Sequence, residues 1–289
     1  MQDRALKENR RHGSILLPIS NYKIEIKNNK MLLDCHWHEE LELFKATAGR
    51  FRFQIASRYY DVSAGDLLFV NRGELHSAMA EQNGDFSFQA VVFSPDMLKG
   101  PSEDKIQLEY LTPLLSGRFS VQRQFRQETQ EERNLQDCFD RIYALLEEKP
   151  AAYEILLKAY LYFLLNGLIR TGNACAEASV RETAAAENIK KAIGFMQENY
   201  RDPITVEMLA RLCSVSPGHF CRTFKKFTMK TPVEYLNCCR LSKAAEMLET
   251  TDRKILDIAL DCGFNSLSYF INVFREAMGC APSQYRKRQ

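Results

Sequence analysis

No apolar run in this chain of 289 residues reaches the roughly 20 that cross a bilayer. The longest, Leu156 to Ile169, is broken by Lys158 and Asn166, so no transmembrane helix and no membrane partner are expected. The first twelve residues, MQDRALKENRRH, are charged and lack the apolar core of a secretory signal, which predicts a cytoplasmic chain. Cys-x-x-Cys spacing is absent among the nine cysteines, and with it the usual ligand pattern of a zinc finger. Their number is odd, their spacing irregular, and the chain is long enough to bury a core without staples, so nine reduced thiols are expected. Neither charge sign prevails, with 39 Lys/Arg against 37 Asp/Glu. A composition 45% hydrophobic and 26% charged argues against disorder, and the length accommodates two domains.

The balanced charge hides an asymmetry. From Glu187 onward there are 16 Lys/Arg and 11 Asp/Glu, a net +5, whereas the preceding part holds 23 and 26. A basic module carried on a mildly acidic body suits a polyanionic partner, although an excess of this size is also an ordinary soluble surface. From Tyr22 to Phe93 the runs YKIEI, RFRFQI and FSFQAVVF alternate apolar with polar residues, and glycines 49, 65, 73 and 84 fall between runs. This is the pattern of short strands in a barrel or sandwich. In RFRFQI, Phe51, Phe53 and Ile55 share the expected core face, opposite Arg50, Arg52 and Gln54. After Pro95 two helices are predicted, Glu131–Glu148 and Ala151–Ile169, separated by Pro150. The second is apolar on almost every face and must bury more than one side, against the barrel or against a second subunit. Thr171 to Glu187 is small and polar and reads as a linker. The expected domains are therefore a barrel over 1–95, a helical dimerisation region over 96–170, a linker over 171–187, and a C-terminal domain over 188–289.

The C-terminal third contains a repeat. Phe220, Phe224, Pro232 and Tyr235 recur fifty positions later as Phe270, Phe274, Pro282 and Tyr285, and Leu209-Ala210 recurs forty-nine positions later as Ile258-Ala259. Each copy reads as helix, turn, helix. Thr205 caps Val206–Leu212, a turn follows at Cys213-Ser214-Val215, and Ser216 caps a helix starting at Pro217. In the second copy Ile255–Asp261 leads into Cys262-Gly263-Phe264-Asn265, where Gly263 supplies a positive φ, and Ser266 begins the next helix. This is the plan of a DNA-binding helix-turn-helix. Helical phase places Phe220, Phe224 and Phe227 inward, and Gly218, Cys221, Arg222, Lys225 and Lys226 outward. In the second copy Phe270, Val273 and Phe274 point inward, and Leu267, Ser268, Tyr269, Asn272 and Arg275 outward. Arg222 suits guanine and Asn272 adenine, while Lys225, Lys226 and Arg275 suit phosphates.

From about Ile189 to Arg286 the chain resembles the DNA-binding domain of the AraC/XylS family of bacterial transcription regulators, and the stretch IALDCGFNSLSYFINVFREAMGCAPSQYR carries that family's signature. The resemblance implies two helix-turn-helix units joined by a central helix near Pro232 to Glu249, with reading helices entering successive major grooves. Positions corresponding to base contacts are Gly218, Cys221 and Arg222, then Leu267, Ser268, Tyr269 and Asn272. Gly218 and Cys221 are poor donors, which leaves more of the first half-site to Arg222 or to DNA shape.

His36 and His38 lie two apart and project to one face of a strand; Glu42 follows, and a later strand can bring His76 beside them. The spacing of His36, His38, Glu42 and Gly49, then Gly65, Gly73 and His76, resembles the two motifs of a cupin barrel, with Asn71 where that motif usually has proline. Three imidazoles and a carboxylate suit a divalent transition metal. The same polar groups could hydrogen-bond a small effector such as a sugar, or be satisfied core residues. The fold expected is α+β in two domains: an N-terminal cupin-like β-barrel with a helical dimerisation and linker region, and an all-α double helix-turn-helix domain. The function expected is a homodimeric, non-enzymatic regulator of AraC type that binds double-stranded promoter DNA and answers a small-molecule effector. The alternative is a metal-dependent cupin enzyme or metal sensor with a DNA-binding tail.

Overall fold

A computed structural model describes residues 11–100, 102–172 and 179–287. The chain divides into two compact units, one running from Lys7 to Ala184 and one from Ala185 onward. The first is an antiparallel barrel of β1 (Ile19–His36), β2 (Leu41–Ala48), β3 (Arg50–Ile55), β4 (Arg58–Ser63), β5 (Leu67–Val70), β6 (His76–Phe93) and β7 (Gln124–Phe125). The sheet order is β4-β3-β6-β2-β5-β7, with β1 on β6. The long β6 organises it. One edge pairs with β1 from Ile19↔Phe93 to His36↔His76; the other pairs first with β3 and then with β2.

Side-chain alternation explains why β2, β5 and the end of β6 are apolar on both faces. Leu41, Leu43, Leu67, Phe69, Val91 and Phe93 point outward into a core shared with helices, whereas Phe44, Ala46, Leu68, Val70 and Phe88 point into the barrel. The outer core is closed by α1 (Thr112–Leu115), α2 (Gln130–Glu148) and α3 (Tyr153–Arg170). The segment after Pro95 thus packs in the same unit as the barrel, and β7 within it extends the sheet. The side chain of Thr129 caps α2 by accepting from the Glu132 amide, and Lys149 ends it in the left-handed region. The two helices touch closely at Gly167, where a Cβ would lie 2.6 Å from Leu135 Cδ2. On α3, Leu157, Leu161, Leu164, Leu165 and Leu168 are buried, while Ile155, Leu156 and Phe163 stay exposed. The helix expected to bury several faces buries one in this chain.

Asn71, where the cupin motif usually has proline, has a task that proline could not perform. Its amide donates to Glu74 Oε2 at 2.9 Å and its side chain donates to the Leu114 carbonyl at 2.7 Å.

The second unit takes in α4 (Ser179–Glu198) from Ala185 onward, then α5 (Val206–Leu212), α6 (Pro217–Thr228), α7 (Pro232–Thr250), α8 (Ile255–Asp261), α9 (Leu267–Met278) and α10 (Pro282–Arg286). The expected linker falls partly on 173–178, outside the described residues, and from Ser179 onward it is helix. Thr205, Ser216 and Ser266 accept from the amides of Met208, His219 and Tyr269, so α5, α6 and α9 start where their cap residues predict. Both turns close with the same bond, Val215 N to Ala210 O and Phe264 N to Ala259 O, each 3.0 Å. The central α7 begins with a capping box between Thr231 and Glu234.

Two glycines give opposite expectations. Gly49 has φ +87°, and a Cβ there would meet Phe86 Cδ1 at 2.4 Å, whereas Gly194 within α4 has open space around it. Gly49→Ala should destabilise the first unit by about 1–3 kcal/mol, and Gly194→Ala should stabilise the second by about 0.5–1 kcal/mol. Chemical denaturation of the two variants would measure both signs.

Candidate functional site

The barrel brings together all four residues of the His/Glu pattern. β1 ends at His36, His38 follows, β2 carries Glu42 and β6 begins at His76. One ligand atom from each of the four lies within 4.8 Å of every other. His38, Glu42 and His76 are buried, and His36 is the member with some exposure.

Each imidazole is fixed through Nδ1 to a backbone carbonyl: His36 to Asp34 at 2.9 Å, His38 to Glu40 at 3.2 Å, His76 to Glu74 at 2.9 Å. A carbonyl can only accept, so each Nδ1 carries the proton and, in the neutral ring, Nε2 holds the lone pair. The Nε2 atoms of His38 and His76 lie 3.1 and 3.0 Å from Glu42 Oε2. His76 Nε2 is enclosed, and its approach to the carboxylate lacks the alignment of a hydrogen bond. Burial alone would raise the Glu42 carboxyl, but its contacts with His38 and His76 outweigh this and hold it well below the usual carboxylate range. Burial, reinforced by His76, pushes His36 down to about 3 despite the attraction of Glu42. The result is an ionised carboxylate beside a neutral imidazole and two more imidazoles whose Nδ1 protons are committed elsewhere. Lone pairs facing a carboxylate at about 3 Å repel unless a proton or a cation lies between them. A donor set of this kind fits a divalent transition metal.

One neighbour was not anticipated. The His12 ring lies 5.6 Å from that of His38, and its Nδ1 is 2.8 Å from the Tyr22 hydroxyl. It belongs to a segment whose sequence shows only charge, so no local pattern pointed to it.

On one side of the quartet the barrel is filled by rings. Phe53 stacks on His76 at 6.2 Å, Phe44 lies 4.7 Å from Phe53 and 4.3 Å from Phe88, and Phe51 contacts Phe86. A groove of about 490 Å³ opens beyond them, with Arg50 and Arg52 on its rim. Arg52 faces Asp61 at 3.2 Å, while Gln54, near the other end of β3, is buried and donates to the Ala56 carbonyl.

The second candidate site is the pair of helices α6 and α9. Phe220, Phe224 and Phe227 are buried on α6, and Phe270 and Phe274 on α9, with Val273 packed partly against the same core. Gly218, Arg222, Lys225 and Lys226 are exposed and Cys221 is half-buried; Ser268, Tyr269, Asn272 and Arg275 are exposed. Leu267 departs from the expectation: it is half-buried and packs on the core of its own unit. A side chain in the first turn of a helix covers the turn that precedes it, which here is the apolar Phe264 region. The Arg222 guanidinium folds back across Gly218, its Nη1 lying 3.7 Å from where a Cβ would sit. Arg275 Nη2 donates to Asn272 Oδ1 at 3.2 Å, which leaves the second lone pair of that oxygen and the amide hydrogens for another partner. Tyr269 is tied down from the central helix by Asn237, whose Nδ2 donates to its hydroxyl at 2.7 Å.

Comparison with known proteins agrees with both halves. Residues 31–165 match a family model described as an AraC-like ligand binding domain, and residues 209–288 one described as a helix-turn-helix domain. Over 286 residues the chain is 28% identical to the uncharacterized HTH-type transcriptional regulator YdeC of Bacillus subtilis, covering 99% of this chain and 97% of that protein. It is 24% identical over 255 residues to the uncharacterized HTH-type transcriptional regulator YdiP of Escherichia coli, covering 88% and 80%. The melibiose operon regulatory protein of Escherichia coli is 32% identical over 99 residues, covering 34% of this chain and 33% of that one. No helix among the described residues is long and apolar enough to cross a membrane.

Proposed function

The chain belongs to the AraC family of transcription regulators, and from that premise we propose how its two sites divide the work. The barrel binds the effector, and α6 and α9 read double-stranded promoter DNA in the cytoplasm. The observation that carries the second statement is the equivalent placement of Arg222 and Asn272, each exposed on the outer stripe of a helix whose opposite stripe is buried phenylalanine. Arg222 presents a fork for guanine and Asn272 an acceptor and donor for adenine; Ser268 and Tyr269 flank Asn272, and Lys225, Lys226 and Arg275 meet phosphates. Gly218 and Cys221 add little hydrogen bonding to the first half-site. We read the protein as a regulator without catalytic activity. Arg222→Ala should weaken binding to the preferred duplex by about 1–3 kcal/mol and relax preference at one base pair, whereas Lys225→Ala should weaken all duplexes alike and reduce the salt slope by about 1. Titrations against a panel of single-base variants at several salt concentrations separate the two.

For the effector, the polar groups of the barrel interior are the quartet, and they suit a small polar molecule such as a sugar hydrogen-bonded to His36, His38, Glu42 and His76. The likeness to the melibiose operon regulatory protein spans a third of each chain and lends the sugar reading little weight. A second reading, in which a divalent transition metal is held there, is favoured by the Nδ1–carbonyl bonds that leave Nε2 lone pairs beside an ionised Glu42. When bound, such an ion would supply a Lewis-acidic anchor for an effector or would itself be the signal. Elemental analysis of protein equilibrated with Zn, Mn, Fe or Ni salts should find about one ion per chain, and His38→Ala, which removes a direct ligand, should weaken its affinity by more than the roughly 10–100-fold typical of losing an outer partner. Retention of the same stoichiometry and affinity by His38→Ala would place the ion elsewhere.

Two copies of the chain pair through α3. Ile155, Leu156 and Phe163 are 73, 51 and 67% exposed on one side of that helix, and covering three such side chains is worth about 1.5–3 kcal/mol each. Phe163→Glu should shift sedimentation from dimer to monomer at micromolar concentration with the barrel still folded; an unchanged sedimentation coefficient would move the interface to another face.

A further inference from the structure

The two helix-turn-helix turns have the same backbone but different residues at their left-handed position, Ser214 with φ +55° in the first and Gly263 with φ +83° in the second. Positive φ therefore does not by itself demand glycine here. The difference lies in what surrounds the second turn. A Cβ on Gly263 would stand 2.7 Å from the Tyr200 carbonyl oxygen, 2.8 Å from that of Arg201 and 3.0 Å from Arg240 Nε. Arg240 projects from the middle of α7, and its guanidinium spans the gap. Nε donates to the Tyr200 carbonyl at 2.8 Å, Nη2 donates to the Asp202 carbonyl at 2.9 Å, and its carbon lies 5.8 Å from the centre of the Phe264 ring. Phe264 occupies the turn position that is Val215 in the first copy. Residues 199–205 lead from α4 into α5 of the first helix-turn-helix copy, whereas Gly263 and Phe264 form the turn between α8 and α9 of the second. One side chain on the shared helix therefore clamps the entry of one unit to the turn of the other.

We infer that Arg240 is a positioning residue for DNA recognition: by docking the Gly263–Phe264 turn on the Tyr200–Asp202 backbone, it fixes the separation and rotation of α6 and α9, and so the spacing of the two half-sites that the protein accepts. A planar fork with two directed bonds constrains orientation as well as distance, which a single lysine ammonium does not. Asn237, one turn earlier on α7 and bonded to Tyr269, acts in the same sense on α9. The inference rests on reading α6 and α9 as the DNA-contacting helices.

The test uses the full chain and a duplex selected by the wild-type protein from a random pool, together with versions carrying one or two extra base pairs between the half-sites. Each added pair moves the second half-site by about 3.4 Å and about 35° around the duplex. Wild type should lose about tenfold or more in affinity per insertion. Arg240→Lys and Gly263→Ala should each lose no more than about threefold across the same series, with thermal unfolding confirming the folded state. Spacing dependence as steep in both variants as in wild type would overturn the inference, as would a wild type indifferent to insertion or the unfolding of both variants at the assay temperature. Failure of the wild type to select any duplex would instead remove the DNA-reading assignment of α6 and α9.

Discussion

A helix that reads DNA must leave one stripe bare, and a unit of two short helices cannot bury the other stripe alone. That shortage is met by α7, which both units share. Tyr235, near its start, packs against Phe224 at 5.8 Å in the first helix-turn-helix, while Leu241, Ala244, Ala245 and Leu248 along its second half complete the core around Phe270 and Phe274. Both α6 and α9 lean on one rod, so the surface they present together is set by packing that neither copy could supply. Tyr285 reinforces the arrangement, its hydroxyl donating to Glu249 at 2.6 Å while its ring meets Phe274.

The barrel solves a related problem differently. Its long strands are apolar on both faces because one face feeds the helical layer and the other the aromatic interior. Polar groups placed in such an interior need partners, and here the backbone supplies them: three carbonyls next to the histidines orient the rings, and the carboxylate is held ionised among them. The polar groups of this interior are thus positioned by main chain, which sequence change alters least.

Much of this was legible in the order of residues. The recurrence of Phe220 and Phe224 as Phe270 and Phe274, the serine and threonine caps, and the Pro217 start gave the helices nearly to the residue, because caps and periodicity are local signals. His36, His38, Glu42 and His76 could be grouped because a period of two and a cupin-like spacing bring them together. What escaped were long-range facts. Nothing near His12 indicates that it approaches His38; nothing near Arg240 indicates that its targets are carbonyls forty positions earlier. Leu267 shows the limit of phase alone, since the lean of a side chain along the axis drew it inward from a position that counts as outward. For α3, apolar composition says that area should be covered, against the barrel or a second subunit, but not by which molecule.

Asn71 couples parts of the first unit that the chain order keeps apart. It sits five residues before His76, on the loop that delivers that ring to the quartet, and its side-chain amide grips the last helical turn before Ser116. That turn belongs, through Leu111 and Leu114, to the same apolar core as the leucines of α3. A shift of the loop must either forfeit the Asn71 bond or tow the helical layer along with it. The histidine loop and the helical layer are therefore geared together, with Arg123 holding Glu74 of the same loop at 2.7 Å as a second tie, and the Asn71 bond tolerates a displacement of under about 1 Å before it is lost.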